Sequence, residues 1–464
     1  MHIIESLQIF LRDRGITRLV ITLGMIMASP LLSVNADPAD SRGLSCEPEW
    51  DEVIPFSFRP NGSIGTMAFF DDGMGEKFYL GGFFETVTIG NIPLVGIGTW
   101  DALNQTWSQV GGGMDDPGVS ELIEYDDGSG PKLYARGTFT SVEGNPIQGL
   151  AAWDGMSWSA VGSALSNSEG PVRLYDFEVF DDGSGPALYV GGEFDSAGGV
   201  PVGSIARWDG SSWSALGDSQ DASGIVESMT VHDDGRGPAL YVGGATIAGF
   251  AGNQVGRWDG AQWESLQVPG VGDPDGRIIA MQSFDDGGGP MLYAGGRVTT
   301  TGAEPSDASA LVRWDGEEWT SVDAGLEDDV RPIVWDMSIF NDGSGPALYI
   351  AGQFDSASGV PASNIVRWDG QNWQALDSGT NGTVSTLLEV QTDAGRALYA
   401  SGEFSVAGGQ SAFRIGQWKG CPVLTISVMP ASLAFEEQPL NTPSPTQMVV
   451  VENGGHAPPP KFHV

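Results

Sequence analysis

Histidine and cysteine are nearly absent, at four and two of 464 residues. His2 falls in the N-terminal leader and His456 and His463 in the C-terminal tail, which leaves His232 alone in the body of the chain. That scarcity argues against a Ser-His-Asp or Cys-His nucleophile system and against a His-based zinc or copper site, since each needs imidazole beside its partner groups. His232 takes a place filled elsewhere by Phe70, Tyr125, Phe180, Phe284 and Phe340, so it reads as a packed substitute for an aromatic ring. Basic residues are also few: 21 Lys and Arg stand against 60 Asp and Glu, a formal charge of −39. Such a surface repels nucleic acid and anionic lipid headgroups, whose recognition depends on Lys and Arg. It attracts cations or basic partners, or simply keeps an exported protein in solution.

Long apolar runs are missing as well. The one candidate, LVITLGMIMASPLLSV (19–34), follows Arg12, Arg14 and Arg18 and ends at Val34-Asn35-Ala36, before Asp37-Pro38. This pattern predicts a secretory signal over 1–36 with a small-residue cleavage site, then a linker over 37–45. The run is shorter than the ~20 residues a spanning helix needs, and nothing else in the chain is apolar enough. The mature protein is therefore expected outside the cell or at its surface.

What the chain does have is glycine, at 68 residues, and tryptophan, at 15, with only 17% charged residues. That balance favours many short strands joined by tight turns over amphipathic helices. Self-similarity is plain. The Tyr of an LYVGG-like phrase recurs at Tyr79, Tyr134, Tyr189, Tyr241, Tyr293, Tyr349 and Tyr399, at intervals of 50 to 56 residues. The copies share four parts, best read in 225–266: an apolar run ending in an Asp-Asp-Gly turn, the LYVGG run, a Gly-rich loop, and a Trp-Asp-Gly turn followed by a second Trp. Four short strands per copy make one blade of a propeller.

Tryptophan placement tests this reading. Third strands carry Trp100, Trp153, Trp208, Trp258, Trp314, Trp368 and Trp418, while fourth strands carry only Trp107, Trp158, Trp213, Trp263, Trp319 and Trp373. The partner missing from Trp418 is found at the other end of the chain, at Trp50 in CEPEWDEVI (46–54). The expected fold is thus all-β, a seven-bladed propeller over 46–422 whose last blade is completed by an N-terminal strand, leaving no open edge. Cys46 and Cys421 flank that junction and are the only cysteines, so a disulfide is expected in an exported protein. Closing so long a loop contributes roughly 5–6 kcal/mol as an upper figure.

The LYVGG phrase followed by a Trp-Asp strand, a turn and a second Trp resembles the kelch-type repeat with a shortened final turn. It also resembles cell-surface propeller repeats of the form LYVGGxF…AGG…IxRWDGxxWxxL, seen in secreted bacterial proteins and fungal cell-polarity markers. The resemblance is specific for fold and not for function, because propellers host both enzymes and binding modules. Residues 423–464 differ. TISVMPASLAFEEQPLNTPSPTQMVVVENGG (425–455) resembles the opening strands of immunoglobulin-like repeats of the ASPM and Hydin group, and at ~40 residues it is too short for a sandwich of about 100. A truncated, incomplete β-sandwich-like segment is expected there.

Three sets of side chains carry possible chemistry. The turns Asp71-Asp72, Asp126-Asp127, Asp181-Asp182, Asp233-Asp234, Asp285-Asp286 and Asn341-Asp342 could hold Ca²⁺, which takes six to eight oxygens, although none offers more than two carboxylates and all suit ordinary turn chemistry. Of these, Asp181, Asp182, Asp233, Asp234, Asp285 and Asp286 are the candidate metal ligands; no other cofactor is expected. On the first strands, placing Met67, Leu122, Phe177, Met229, Met281, Met337 and Leu388 inward directs Glu121, Asp176, Glu178, Asp336 and Glu389 toward a central channel. Clustered carboxylates there can bind a cation, or raise one another into a general-acid range. The Arg before the third-strand Trp, at 207, 257, 313 and 367, is expected to pair with an acid of the neighbouring blade. The functional expectation is a monomeric, non-enzymatic binding or adhesion module that meets protein or glycan through the rim loops 197–201, 357–361 and 407–411. The competing class is a secreted polysaccharide hydrolase or lyase using the channel carboxylates.

Overall fold

The computed structural model describes residues 48–420 apart from 88–91, 218–222, 249–253, 269–275, 299–309, 323–324, 329–331 and 393–394. It also describes the strand segments Leu7–Ile9, Leu19–Ile26, Ser29–Val34, Ile426–Met429 and Val450–Asn453. The first three pair in one small sheet and the last two in another. Otherwise the expected leader, the linker 37–45, both cysteines and the C-terminal immunoglobulin-like segment lie outside the described residues.

The third repeat shows how the sequence becomes structure. Arg173–Asp181 buries Leu174 and Phe177 toward the second sheet and Phe180, on the opposite face, toward the fourth. The strand then reverses at Asp181, whose Oδ1 accepts hydrogen bonds from the backbone N–H of Gly183 and Gly185, both at 2.9 Å. This is the self-bonding that suits Asp to tight turns. Pro186–Glu193 returns with its LYVGG core buried, Ile205–Trp208 follows on its far side, and Trp213–Ser214 completes the sheet. Indoles face each other across the last hairpin, with Trp208 and Trp213 at 5.1 Å between centroids.

Among the described residues the chain is all-β and forms seven such four-stranded antiparallel sheets, consistent with a β-propeller. The seventh draws its fourth strand from the start of the chain. Glu49–Glu52 pairs with Ile415–Lys419, setting Trp50 opposite Trp418 with rings 5.5 Å apart. No helix of the described residues is long and apolar enough to cross a membrane.

Each sheet buries its faces against its neighbours. Leu174, Phe177, Leu188 and Trp208 of the third sheet share an apolar core with Tyr125, Tyr134 and Leu150 of the second. First and seventh sheets meet in the same way, through Met67, Phe78 and Leu80 against Val390, Tyr399 and Ile415. Each Å² of apolar surface buried at these junctions contributes roughly 25 cal/mol. Polar fixings sit beside them. Trp50 donates its indole N–H to the Leu376 carbonyl of the sixth sheet at 3.1 Å, as Trp158 does to Val110 of the first and Trp263 to Leu216 of the third.

Candidate functional site

Each first strand carries a β-bulge at one and the same point, where the partner strand skips a residue: between Ile64 and Thr66, Leu174 and Asp176, Val334 and Asp336, and likewise in the other four sheets. A bulge re-aims side chains and increases local twist. Here it opens the mouth of a central cavity of about 860 Å³ lined from all seven sheets. Glu121, Asp176, Glu178 and Asp336 line it, as the strand alternation predicts.

Most of these carboxylates are already engaged. The inward edge of each first strand has backbone N–H groups with no further strand to receive them, and such donors need partners when buried. Asp176 accepts from the N–H of Phe177 on its own strand at 2.9 Å and from Met229 on the next sheet. Asp336 does the same with Met337 and, across the junction, Leu387, both at 2.7 Å. Hydroxyls serve at other junctions: Thr66 Oγ1 accepts from Leu122 at 3.1 Å, and Thr386 Oγ1 donates to the Gly65 carbonyl at 2.9 Å, joining seventh sheet to first. The polar ring is thus a set of staples between consecutive sheets.

Burial dominates the electrostatics. It raises Glu178 and Asp336 to about 7, against the opposing effect of the backbone N–H groups that each accepts. Asp176 is pushed well above the ordinary carboxylate range by burial and by the neighbouring Glu121 charge. Glu121 is also raised by burial, and the Arg136 guanidinium, 2.5 Å away, partly offsets that. A shared proton among these groups is the expected state near neutrality.

Three expectations need correction. Glu389 does not reach the cavity; it pairs with Arg396 on the outside. Leu388 stands opposite Tyr399 just as Ser338 stands opposite Tyr349, so Leu387, not Leu388, is the buried counterpart of Met337, and every assignment in that strand shifts by one. The arginines before the third-strand Trp bind acids of their own sheet, not of a neighbour: Arg207 reaches Asp182 at 3.3 Å, Arg257 Asp234 at 3.4 Å and Arg313 Asp286 at 2.5 Å.

Those same aspartates are the candidate calcium ligands. The first of each pair, Asp181, Asp233 or Asp285, caps two glycine N–H groups of its turn. The second accepts the Tyr hydroxyl of its own LYVGG strand, at 2.9 Å for Asp182–Tyr189, 2.8 Å for Asp234–Tyr241 and 3.0 Å for Asp286–Tyr293. Among the described residues no group of three or more acidic, His or Cys side chains is arranged to hold a metal ion. His232 packs edge-on against Tyr241, where other sheets place Phe or Tyr, and its Nδ1 lies 2.8 Å from Ser283 Oγ of the next sheet.

No family model and no curated protein matches this chain. Among solved structures, the extracellular domain of the putative hybrid two-component system BT4673 from B. thetaiotaomicron is similar, at 10% identity and a TM-score of 0.45. The match covers 82% of this chain and 41% of that one.

Sequence reasoning missed the bulged residues themselves. Tyr175, Glu227, Ile279 and Trp335 are the skipped residues of four consecutive sheets, and all four border the cavity. The one available signal was Trp335, the single Trp that fits neither repeating position. It is 37% exposed.

Proposed function

We propose that this chain is a secreted or cell-surface, non-enzymatic binding module in which the seven sheets close into a seven-bladed kelch-like propeller. Closure is supported by the shared core of first and seventh sheets and by the Thr386–Gly65 hydrogen bond. The ligand, protein or glycan, is met on the face where second and third strands join. The hairpins Ser196–Ala197/Val200–Pro201 and Ser356–Ala357/Val360–Pro361 form at that junction of the third and sixth sheets.

The observation that carries the non-enzymatic reading is the engagement of Asp176 and Asp336 by backbone N–H groups of adjacent sheets. A general acid or nucleophile must present a free oxygen to its substrate. The opposing reading, a polysaccharide hydrolase or lyase, draws on Glu178, which burial raises to about 7. A glycan array combined with a reducing-sugar assay on the recombinant protein separates the two. Binding without release of reducing ends is expected; turnover that falls in Glu178→Gln or Asp176→Asn would overturn the choice.

A further inference from the structure

We infer that the part of the cavity mouth formed by Tyr175, Glu227, Ile279 and Trp335, from four of the seven sheets, is a binding site for a neutral glycan, an inference that rests on the binding-module reading above. These residues occupy the bulge of the third to sixth sheets, so they sit side by side around the rim. Trp335 is over a third exposed, although the other tryptophans of the described sheets lie at inter-sheet junctions. A half-open indole at the edge of a cavity is a stacking platform for the C–H face of a sugar ring.

Glu227 supplies the polar half. Its side chain is 91% buried, being 9% exposed, yet only one oxygen is paired, Oε1 with Arg277 at 2.5 Å. Oε2 finds no donor among the described residues. A carboxylate oxygen so enclosed and without a donor is costly, and a ligand hydroxyl offsets that cost once the Glu227 side chain turns Oε2 toward the cavity. Arg277 lies beside it with donors to spare, so acceptor and donor stand together, the pairing that vicinal sugar hydroxyls satisfy.

Charge selects the class. Glu227 and the nearby acids of the cavity disfavour an anionic ligand, while Arg277, paired with Glu227, sets a positive charge against a cation at this spot. A neutral, hydroxyl-rich ligand meets neither penalty. Tyr175 of the third sheet lines the same cavity.

The test uses the full chain on an array of neutral, sulfated and uronic-acid glycans, followed by calorimetry with the best neutral ligand. Trp335→Ala and Glu227→Gln are each expected to weaken binding about tenfold or more, and Trp335→Tyr to restore most of it, with melting temperatures establishing that each variant is folded. Full affinity in both Trp335→Ala and Glu227→Gln would overturn the site while leaving the binding-module reading intact. Preference for charged glycans, or no glycan binding at all, would overturn the neutral class. Release of reducing ends would count against the non-enzymatic reading instead, and the variant affinities would still decide the site.

Discussion

Glu121 and Arg136 stand directly opposite each other on the first two strands of the second sheet, with Nε and Oε2 2.5 Å apart. Arg136 takes the place that glycine holds in LYVGG, where Gly191 faces Asp176 and Gly81 faces Thr66. Its guanidinium continues across the junction to the carbonyls of Leu174, at 2.8 Å, and Tyr175 on the third sheet. One departure from the repeat thus answers another: an acid long enough to need a partner is met by the only arginine at that position.

Arg136→Gly alone should therefore be costly. It strands a half-buried carboxylate and frees two carbonyls, and should cost about 2–3 kcal/mol, below the ~3–5 kcal/mol of a fully buried pair. Glu121→Thr combined with Arg136→Gly recreates the Thr66/Gly81 pair of the first sheet, and should recover most of that loss. Urea unfolding of the wild type, both single variants and the double variant gives the coupling energy. Strict additivity would show that the pair does not act as a unit.

Stability should fall as pH rises toward neutrality. Glu178 and Asp336 titrate at about 7 when folded, against ordinary carboxylate values when unfolded. A raised carboxylate contributes stability that is fully present below the unfolded value, near 4, and is lost as pH climbs through the folded value. Asp127 and Asp234 have the opposite sign, held near 2 despite burial by their hydrogen bonds, so they give stability above about 4 that is lost as pH falls through 2. The melting temperature should peak between about pH 4 and 6 and decline by pH 8, each raised group removing on the order of 1–3 kcal/mol. In Glu178→Gln the decline should be shallower; a melting curve insensitive to pH from 5 to 8 would refute the assignment.

Much of this architecture is written in one-dimensional pattern. The paired tryptophans locate third and fourth strands, and Trp50 locates the strand that completes the seventh sheet, because aromatic pairs across a hairpin must keep register. The bulges are not legible, since one extra residue is visible only against its partner strand. In Leu387-Leu388 either leucine can be the buried one, and choosing the wrong one sent Glu389 to the cavity. The role of Asp176 and Asp336 escaped for a different reason: the N–H groups they satisfy, on Met229 and Leu387, lie 53 and 51 residues away on another sheet. Local chemistry cannot announce such a partner.

The Trp-Asp-Gly turn makes its own prediction. Gly210 has φ +92°, and a Cβ there would lie 2.1 Å from the Asp127 carbonyl oxygen of the preceding sheet's turn. Gly185 has a similar φ of +107° with nothing within 4 Å of its missing Cβ. Gly185→Ala should cost about 1 kcal/mol from backbone strain alone. Gly210→Ala adds a clash with backbone that cannot swing aside, and should cost above about 3 kcal/mol. Equal melting temperatures for the two variants would remove the inter-sheet contact from the explanation.

The strand exchange at the seventh sheet can be tested at both of its fixings. Trp50 is 5% exposed, packs on Trp418 and donates to Leu376 on the sixth sheet, so Trp50→Ala should cost about 3–5 kcal/mol, as large aromatic truncations in cores do. The pairing runs to Glu49 opposite Lys419, three residues after Cys46 and two before Cys421. Both cysteines lie outside the described residues, and a disulfide between them is the expectation of the sequence for an exported protein. Alkylation of the unfolded protein produced through an export pathway should add no label before reduction and two labels after it, and reduction should lower the melting temperature further in Trp50→Ala than in the wild type, because the covalent tie and the indole would hold the same strand. Two labels without reductant would leave the indole and the backbone ladder as the whole of the latch.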